Sequence, residues 1–162
     1  MKTLDYLGLE EKAAGKVAES LQQLLADFQV FYTNLRGFHW NIKGHGFFTL
    51  HSKFEEMYDD AAEKVDEIAE RILMLGGTPA NKFSDYLKVA QIKEVANISC
   101  QENAVNNILE TYKVLIAEER KLLALASEAG DEVTVSLMSD YLAGQEKLIW
   151  MLVAYSTSSC SK

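Results

Sequence analysis

His51 and Glu55, then Asp66 and Glu70, stand four residues apart within one helical stretch, and His39 lies twelve residues ahead of the first pair. Imidazole nitrogen combined with carboxylate oxygen suits Fe(II), Mn(II) or Zn(II) better than Ca(II), which prefers oxygen alone. At about 100° per residue, with His51 set to zero, Glu55, Asp66 and Glu70 fall at about 40°, 60° and 100°, a single stripe. Along the helix axis, however, His51 and Asp66 are separated by roughly 22 Å at 1.5 Å per residue, so one ion cannot touch both pairs of one chain. Two copies of the helix running antiparallel about a two-fold axis close the geometry. His51 and Glu55 of one chain then face Asp66 and Glu70 of the other, and two identical intersubunit sites result. Eight acids lie between Glu55 and Glu70 inclusive, and an ordinary solvated acidic face accounts for the stripe about equally well.

The helix carrying these residues is patterned for that role. Leu50, Phe54, Met57, Ala61, Val65, Ile68 and Ile72 share a broad apolar arc, whereas Glu56, Asp60, Glu63, Lys64 and Glu67 share the opposite, solvated side. The ligand stripe runs between them. Ala62 and Ala69 lie in or beside it, small enough for a second helix to approach, and Asp59 near its midpoint faces the expected two-fold axis.

The remaining elements must place that helix. The chain has 162 residues, 48% of them hydrophobic, and a single proline, Pro79, which favours one all-helical domain over many short strands. Its periodicity predicts a first helix from about residue 10 to residue 37, closed by Gly37, and a second from Phe47 or Phe48 to Leu75. A connection of some twenty residues follows, in which NKFSDYLKVA forms a small crossing helix. A third helix is predicted to start at Ser99, where Ser99 and Glu102 match a capping box, and to run towards Gly130; Asp131 caps a fourth. Four long helices with one long crossover describe a ferritin-like bundle. Short tails are expected at about residues 1–8 and 156–162.

The formal net charge of −8 favours cations as partners and opposes non-specific adhesion to nucleic acid. No apolar run reaches the roughly 18 residues of a membrane span, and the N-terminus lacks a signal-peptide core, so the expected location is cytoplasmic, with nucleoid association as the alternative. Cys100 and Cys160 form no zinc set and read as free thiols; Cys100, near a helix start, could also bind a soft metal or haem.

Di-metal proteins of the ferritin type usually place a Glu-x-x-His motif on each of two helices of one bundle. Arg36, Ile42 and Phe48 stand three residues before His39, His45 and His51, so this chain lacks the motif and the intersubunit arrangement gains. The segment FHWNIKGHGFFTLHSKFEEMYDDAAEKVDEIAERILMLGGTP resembles the signature of the Dps family, the bacterial mini-ferritins, and the likeness extends to the WML run at Trp150. The resemblance implies a hollow homododecamer in which His39, His51 and Glu55 of one subunit join Asp66 and Glu70 of its mate in a ferroxidase site. Some relatives carry Asp where this chain has Glu55.

The resemblance further implies iron as the metal, two ions per intersubunit site, with Fe(II) and hydrogen peroxide as substrates and ferric mineral stored in the cage. Trp40, beside His39, is a candidate donor of a stray electron and otherwise a packing residue. Asp131, Glu132 and Asp140 are the acids near the pore through which the family admits iron, although Asp131 is equally a helix cap. Lys43 and His45 read as exposed loop residues. Some relatives condense DNA through lysine-rich tails. Here Lys2, Lys12 and Lys16 are interleaved with Asp5, Glu10 and Glu11, and the far end offers only Lys162, so direct DNA binding is expected to be weak or absent. A cage subunit with a vestigial metal site is the third reading.

Overall fold

The structure, a computed structural model, describes residues 2–157. Helix α1 (Leu4–Leu7) is a single turn, α2 (Glu11–Asn41) and α3 (Phe47–Met74) form one long pair, α4 (Phe83–Val89) is the crossing helix, and α5 (Gln101–Glu128) and α6 (Glu132–Ser156) form the second long pair. Short turns make the members of each pair antiparallel. Together they are a ferritin-like four-helix bundle, with α4 lying against α2. Cys160 lies outside the described residues, and the N-terminal segment expected to be a tail contains α1, whose Leu4 packs against the core.

Two expected boundaries move. Gly37 does not end the first long helix, which continues to Asn41 and so carries His39. A glycine inside a helix costs about 1 kcal/mol. Full burial of a large apolar side chain contributes roughly 1.5–3 kcal/mol, and both Phe38 and Ile42 are buried just beyond it. Likewise, the expected capping box at Ser99 is absent: Cys100 occupies the N-cap position of α5 without a side-chain cap, because the Ser99 carbonyl is engaged by the Lys43 N–H at 3.1 Å. Asp131 does cap α6, accepting from Thr134 N–H at 3.0 Å.

The apolar arc of α3 faces inward as its spacing requires: Leu50, Phe54, Met57, Ala61, Ile68 and Ile72 are buried, and Val65 is partly so. Residues of α2 hold the crossover by a ladder of polar contacts. Gln22 takes the Ala80 N–H at 3.0 Å and gives to the Thr78 carbonyl at 2.6 Å. Asp27 takes the Ile92 N–H at 2.7 Å, and Asn34 both accepts from Val95 N–H at 3.1 Å and donates to the Lys93 carbonyl at 2.9 Å. These bonds answer backbone groups that an irregular segment laid on a core would otherwise leave unsatisfied.

Buried acids sit behind this ladder. Glu118 accepts from Gln91, and burial, reinforced by the Asp27 carboxylate, raises its pKa to about 8. Burial likewise raises Glu119, bonded to Gln145 at 2.5 Å, to about 7. A carboxyl whose folded pKa exceeds its unfolded value binds more protons in the folded state across the interval between the two. Stability therefore declines as pH rises through that interval. Denaturant midpoints are expected to fall as the pH rises from 4.5, the ordinary glutamate value, to about 8, and Glu118→Gln should flatten that slope; an unchanged slope in the variant would remove Glu118 as its source.

Candidate metal centre

The turn between α2 and α3 sets the site. Gly44 has φ +99°, a left-handed conformation suited to glycine, and a Cβ on Gly46 would collide with the Gln101 carboxamide and the Tyr155 hydroxyl. Gln101 in turn donates to the Lys43 carbonyl at 3.2 Å and accepts from Tyr155 at 3.1 Å. Thus the starts of α3 and α5 and the end of α6 all fix the turn that brings the end of α2 back alongside α3.

Across that turn His39 and His51 meet. Their rings stack with centroids 3.7 Å apart and planes at 20°. His39 Nδ1 lies 2.8 Å from the His51 carbonyl oxygen, and His51 Nδ1 lies 2.9 Å from that of His39. A carbonyl can only accept, so each Nδ1 carries a hydrogen and donates it. In the neutral rings each Nε2 then keeps its lone pair, the form in which imidazole binds a metal. Phe47 stacks on His51 at 4.9 Å and Tyr58 meets His39 edge-on at 5.4 Å, so the ring orientations are held from outside as well.

Glu55 follows one turn after His51 and is exposed, with its Oε1 3.4 Å from the Tyr58 hydroxyl. Partial desolvation raises the Tyr58 phenol above its ordinary range, helped by the Glu55 and Asp59 carboxylates. Asp66 and Glu70 are exposed farther along the same helix, as are Asp59 and Ala62. The structure therefore brings His39, His51 and Glu55 to one end of α3 and leaves Asp66 and Glu70 towards the other. Among the described residues of one chain, no three His, Cys, Asp or Glu side chains gather closely enough to hold a metal ion.

Trp40 is 64% exposed and its indole lies beneath the Arg36 guanidinium at 4.7 Å. Lys43 and His45 are exposed, as expected, and so is the Cys100 thiol. Asp131 is withdrawn from any pore lining by its surroundings: it is buried, accepts from the Thr134 hydroxyl at 2.6 Å, and pairs with the buried Arg71 at 2.5 Å. A buried charge so closely paired is a structural tie between α3 and the start of α6. Glu132 and Asp140 remain exposed and, with Glu67 and Glu70, line a groove of about 490 Å³ between α3 and α6. The acids near the start of α6 thus share one groove with Glu70.

Two residues of this neighbourhood escaped the sequence reading. Arg71 reads as a surface cation at a helix end, and nothing local pairs it with Asp131, 60 positions away. Tyr58 was within reach: seven residues after His51 it falls about 20° from it on the helical wheel, beside the ligand stripe.

Co(II), which has visible absorption bands sensitive to nitrogen ligation, is expected to bind the assembled protein with a spectrum that His39→Ala combined with His51→Ala abolishes. Bands that survive the double substitution would place the cation elsewhere.

The family model for the ferritin-like domain matches residues 18–158. A DNA protection during starvation protein of Porphyromonas gingivalis is 54% identical over 156 residues, covering 96% of this chain and 98% of the relative. DNA protection during starvation protein 2 of Bacillus anthracis is 41% identical, covering 86% and 96%. Among solved structures, a Dps protein of Vibrio cholerae O1, described as belonging to a broad superfamily of ferritin-like diiron-carboxylate proteins, superposes with a TM-score of 0.92 at 48% identity, covering 94% of this chain and 96% of that one. A Dps protein of Bacillus brevis gives 0.88 at 36% identity, covering 92% and 100%. Four long helices, a crossover pinned to α2 and these likenesses along nearly the whole length lead to one assignment: the chain belongs to the Dps family of ferritin-like proteins.

Proposed function

We propose that this protein is a ferroxidase and iron-storage mini-ferritin, oxidising Fe(II) at intersubunit sites with hydrogen peroxide as the preferred oxidant. The observation that carries the reading is the reciprocal pair of bonds that sets His39 and His51 with Nε2 free, one helical turn from Glu55. Asp66 and Glu70, about 22 Å and more along the same helix, complete the ligand set when a second chain runs antiparallel. Support for the metal comes from the ligand types and from the diiron-carboxylate description of the Vibrio cholerae relative.

In this reading Fe(II) is a substrate, two ions per intersubunit site. The Glu55, Asp66 and Glu70 carboxylates neutralise its charge and favour the ferric product, while His39 and His51 hold it without filling every coordination position. Peroxide taking two electrons from an iron pair yields water without freeing a hydroxyl radical. The groove joining Glu132 and Asp140 to Glu70 offers an acidic path on which cations are concentrated. Twelve subunits enclosing a cavity, as the family resemblance implies, would hold the ferric product in the cytoplasm.

Peroxide removal also accounts for the DNA protection in the relatives' names without direct contact. Lys2 is tied to Glu11 at 2.6 Å, and the net charge of −8 opposes a phosphate backbone. Among the described residues no helix is long and apolar enough to cross a membrane.

The test is Fe(II) oxidation by hydrogen peroxide without oxygen, comparing the wild type with Asp66→Ala combined with Glu70→Ala, with both assemblies sized. Fast oxidation that collapses in an intact variant cage is the expected result. Equal, slow oxidation by both would contradict the intersubunit assignment and leave a structural or binding role.

A further inference from the structure

A second groove between α3 and α6, about 410 Å³ in volume, is lined by Asp60 and Lys64 of α3, Gln145 of α6 and, from α5, Tyr112. Gln145 is 3% exposed and donates from Nε2 to Oε1 of the wholly buried Glu119 at 2.5 Å. That bond leaves two acceptors over, Gln145 Oε1 and Glu119 Oε2, and both are buried without a partner. Buried acceptors that nothing answers are costly, and native proteins seldom keep them. Two on one hydrogen-bonded pair call for a positive ligand.

The neighbouring charges do not supply it. Lys64 pairs with Asp60 and lies over the Tyr141 ring at 5.0 Å, while Arg120 of α5 pairs with Glu146 at 2.6 Å. Both act on Glu119 only through space. Burial outweighs them, with Asp60 opposing ionisation as well, and the Glu119 pKa is raised to about 7. The other titratable groups around this acid add no positive charge: burial raises the phenols of Tyr112 and Tyr141, and Glu118 is itself raised.

We infer that Glu119 and Gln145 anchor a cation site at the base of this groove, with Asp60 at its mouth, suited to a hard, oxygen-seeking divalent ion of the Mg2+ class. Glu119 Oε2 and Gln145 Oε1 are its inner ligands, and the groove has room for the waters that Mg2+ retains beside one or two carboxylates. Among the described residues no imidazole or thiol lines it, which separates its chemistry from that of the His39 and His51 end of the bundle. The ion ties α3, α5 and α6 together near the middle of each helix. Nothing in this inference depends on the ferroxidase reading.

Proton and cation compete for one carboxylate. The ion takes Glu119 ionised, so its apparent affinity falls about tenfold for each pH unit below the Glu119 pKa and levels off above it. Binding therefore expels a proton.

Infrared difference spectroscopy tests this on the assembled protein at a pH of about 7, where Glu119 is partly protonated, titrated with MgCl2 and, at equal ionic strength, with NaCl. In the wild type Mg2+ is expected to remove neutral-carboxyl absorption and release protons to the medium, and Glu118→Gln should keep that response. Glu119→Gln should abolish it. Asp60→Asn, at an exposed position that folding does not depend on, should weaken Mg2+ several-fold. A response that NaCl reproduces, that persists in Glu119→Gln, that Asp60→Asn leaves at full strength, or that the wild type lacks overturns the inference.

Discussion

The proposed ferroxidase site depends on two hydrogen bonds across one turn. His39 and His51 each donate from Nδ1 to the other's main-chain carbonyl, so the backbone locks the pair, and Phe47 and Tyr58 hold its rings from outside. The exchange fixes tautomer, ring plane and spacing together. It also ties the end of α2 to the start of α3, which makes the metal end of the bundle part of the fold and spares it dependence on a mobile loop. Gly44, Gly46 and Gln101 serve the same constraint, since the turn closes only where the backbone can come this close to the start of α5.

The rest of the bundle carries the other half of the requirement, a long α3 presenting Glu55, Asp66 and Glu70 as exposed residues. Buried apolar contacts hold its inner face, and the Arg71–Asp131 pair with Thr134 fastens its far end to α6. The crossover, pinned to α2 by Gln22, Asp27 and Asn34, packs along α2 and thus lies off the ligand stripe. Burial of Glu118, which accepts from Gln91 of the crossover, is a cost of this polar anchoring, visible in its raised pKa. A surface free of covering elements is what a helix needs if a second copy is to complete its sites.

Much of this was legible in the sequence because it follows from one number, the helical repeat. The stripe of His51, Glu55, Asp66 and Glu70, the apolar arc behind it, the crossover and the Asp131 cap are all local patterns. The misread features turn on contacts between distant segments. Gly37 reads as a stop until Phe38 and Ile42 are seen to be buried, and Ser99 reads as a cap until Lys43 takes its carbonyl. The family resemblance, and not the helical spacing, implied a place for His39 in the site, and its tautomer depends on a backbone oxygen that no side-chain pattern reports. Asp131 was legible as a cap and as a pore acid, and only its pairing with Arg71, 60 positions away, separates the two.

The central claim, that each site draws ligands from two chains, is tested most directly by complementation. One variant carries His51→Ala with Glu55→Ala and the other Asp66→Ala with Glu70→Ala, and the two are produced together as well as apart. If sites are shared across a two-fold axis, each variant alone is inactive. Random pairing then makes half the dimers mixed, each with one of its two sites whole, so mixed assemblies should recover about a quarter of the wild-type iron oxidation. Assemblies of normal size that recover nothing on mixing would show that the ligands belong to one chain and would contradict the account.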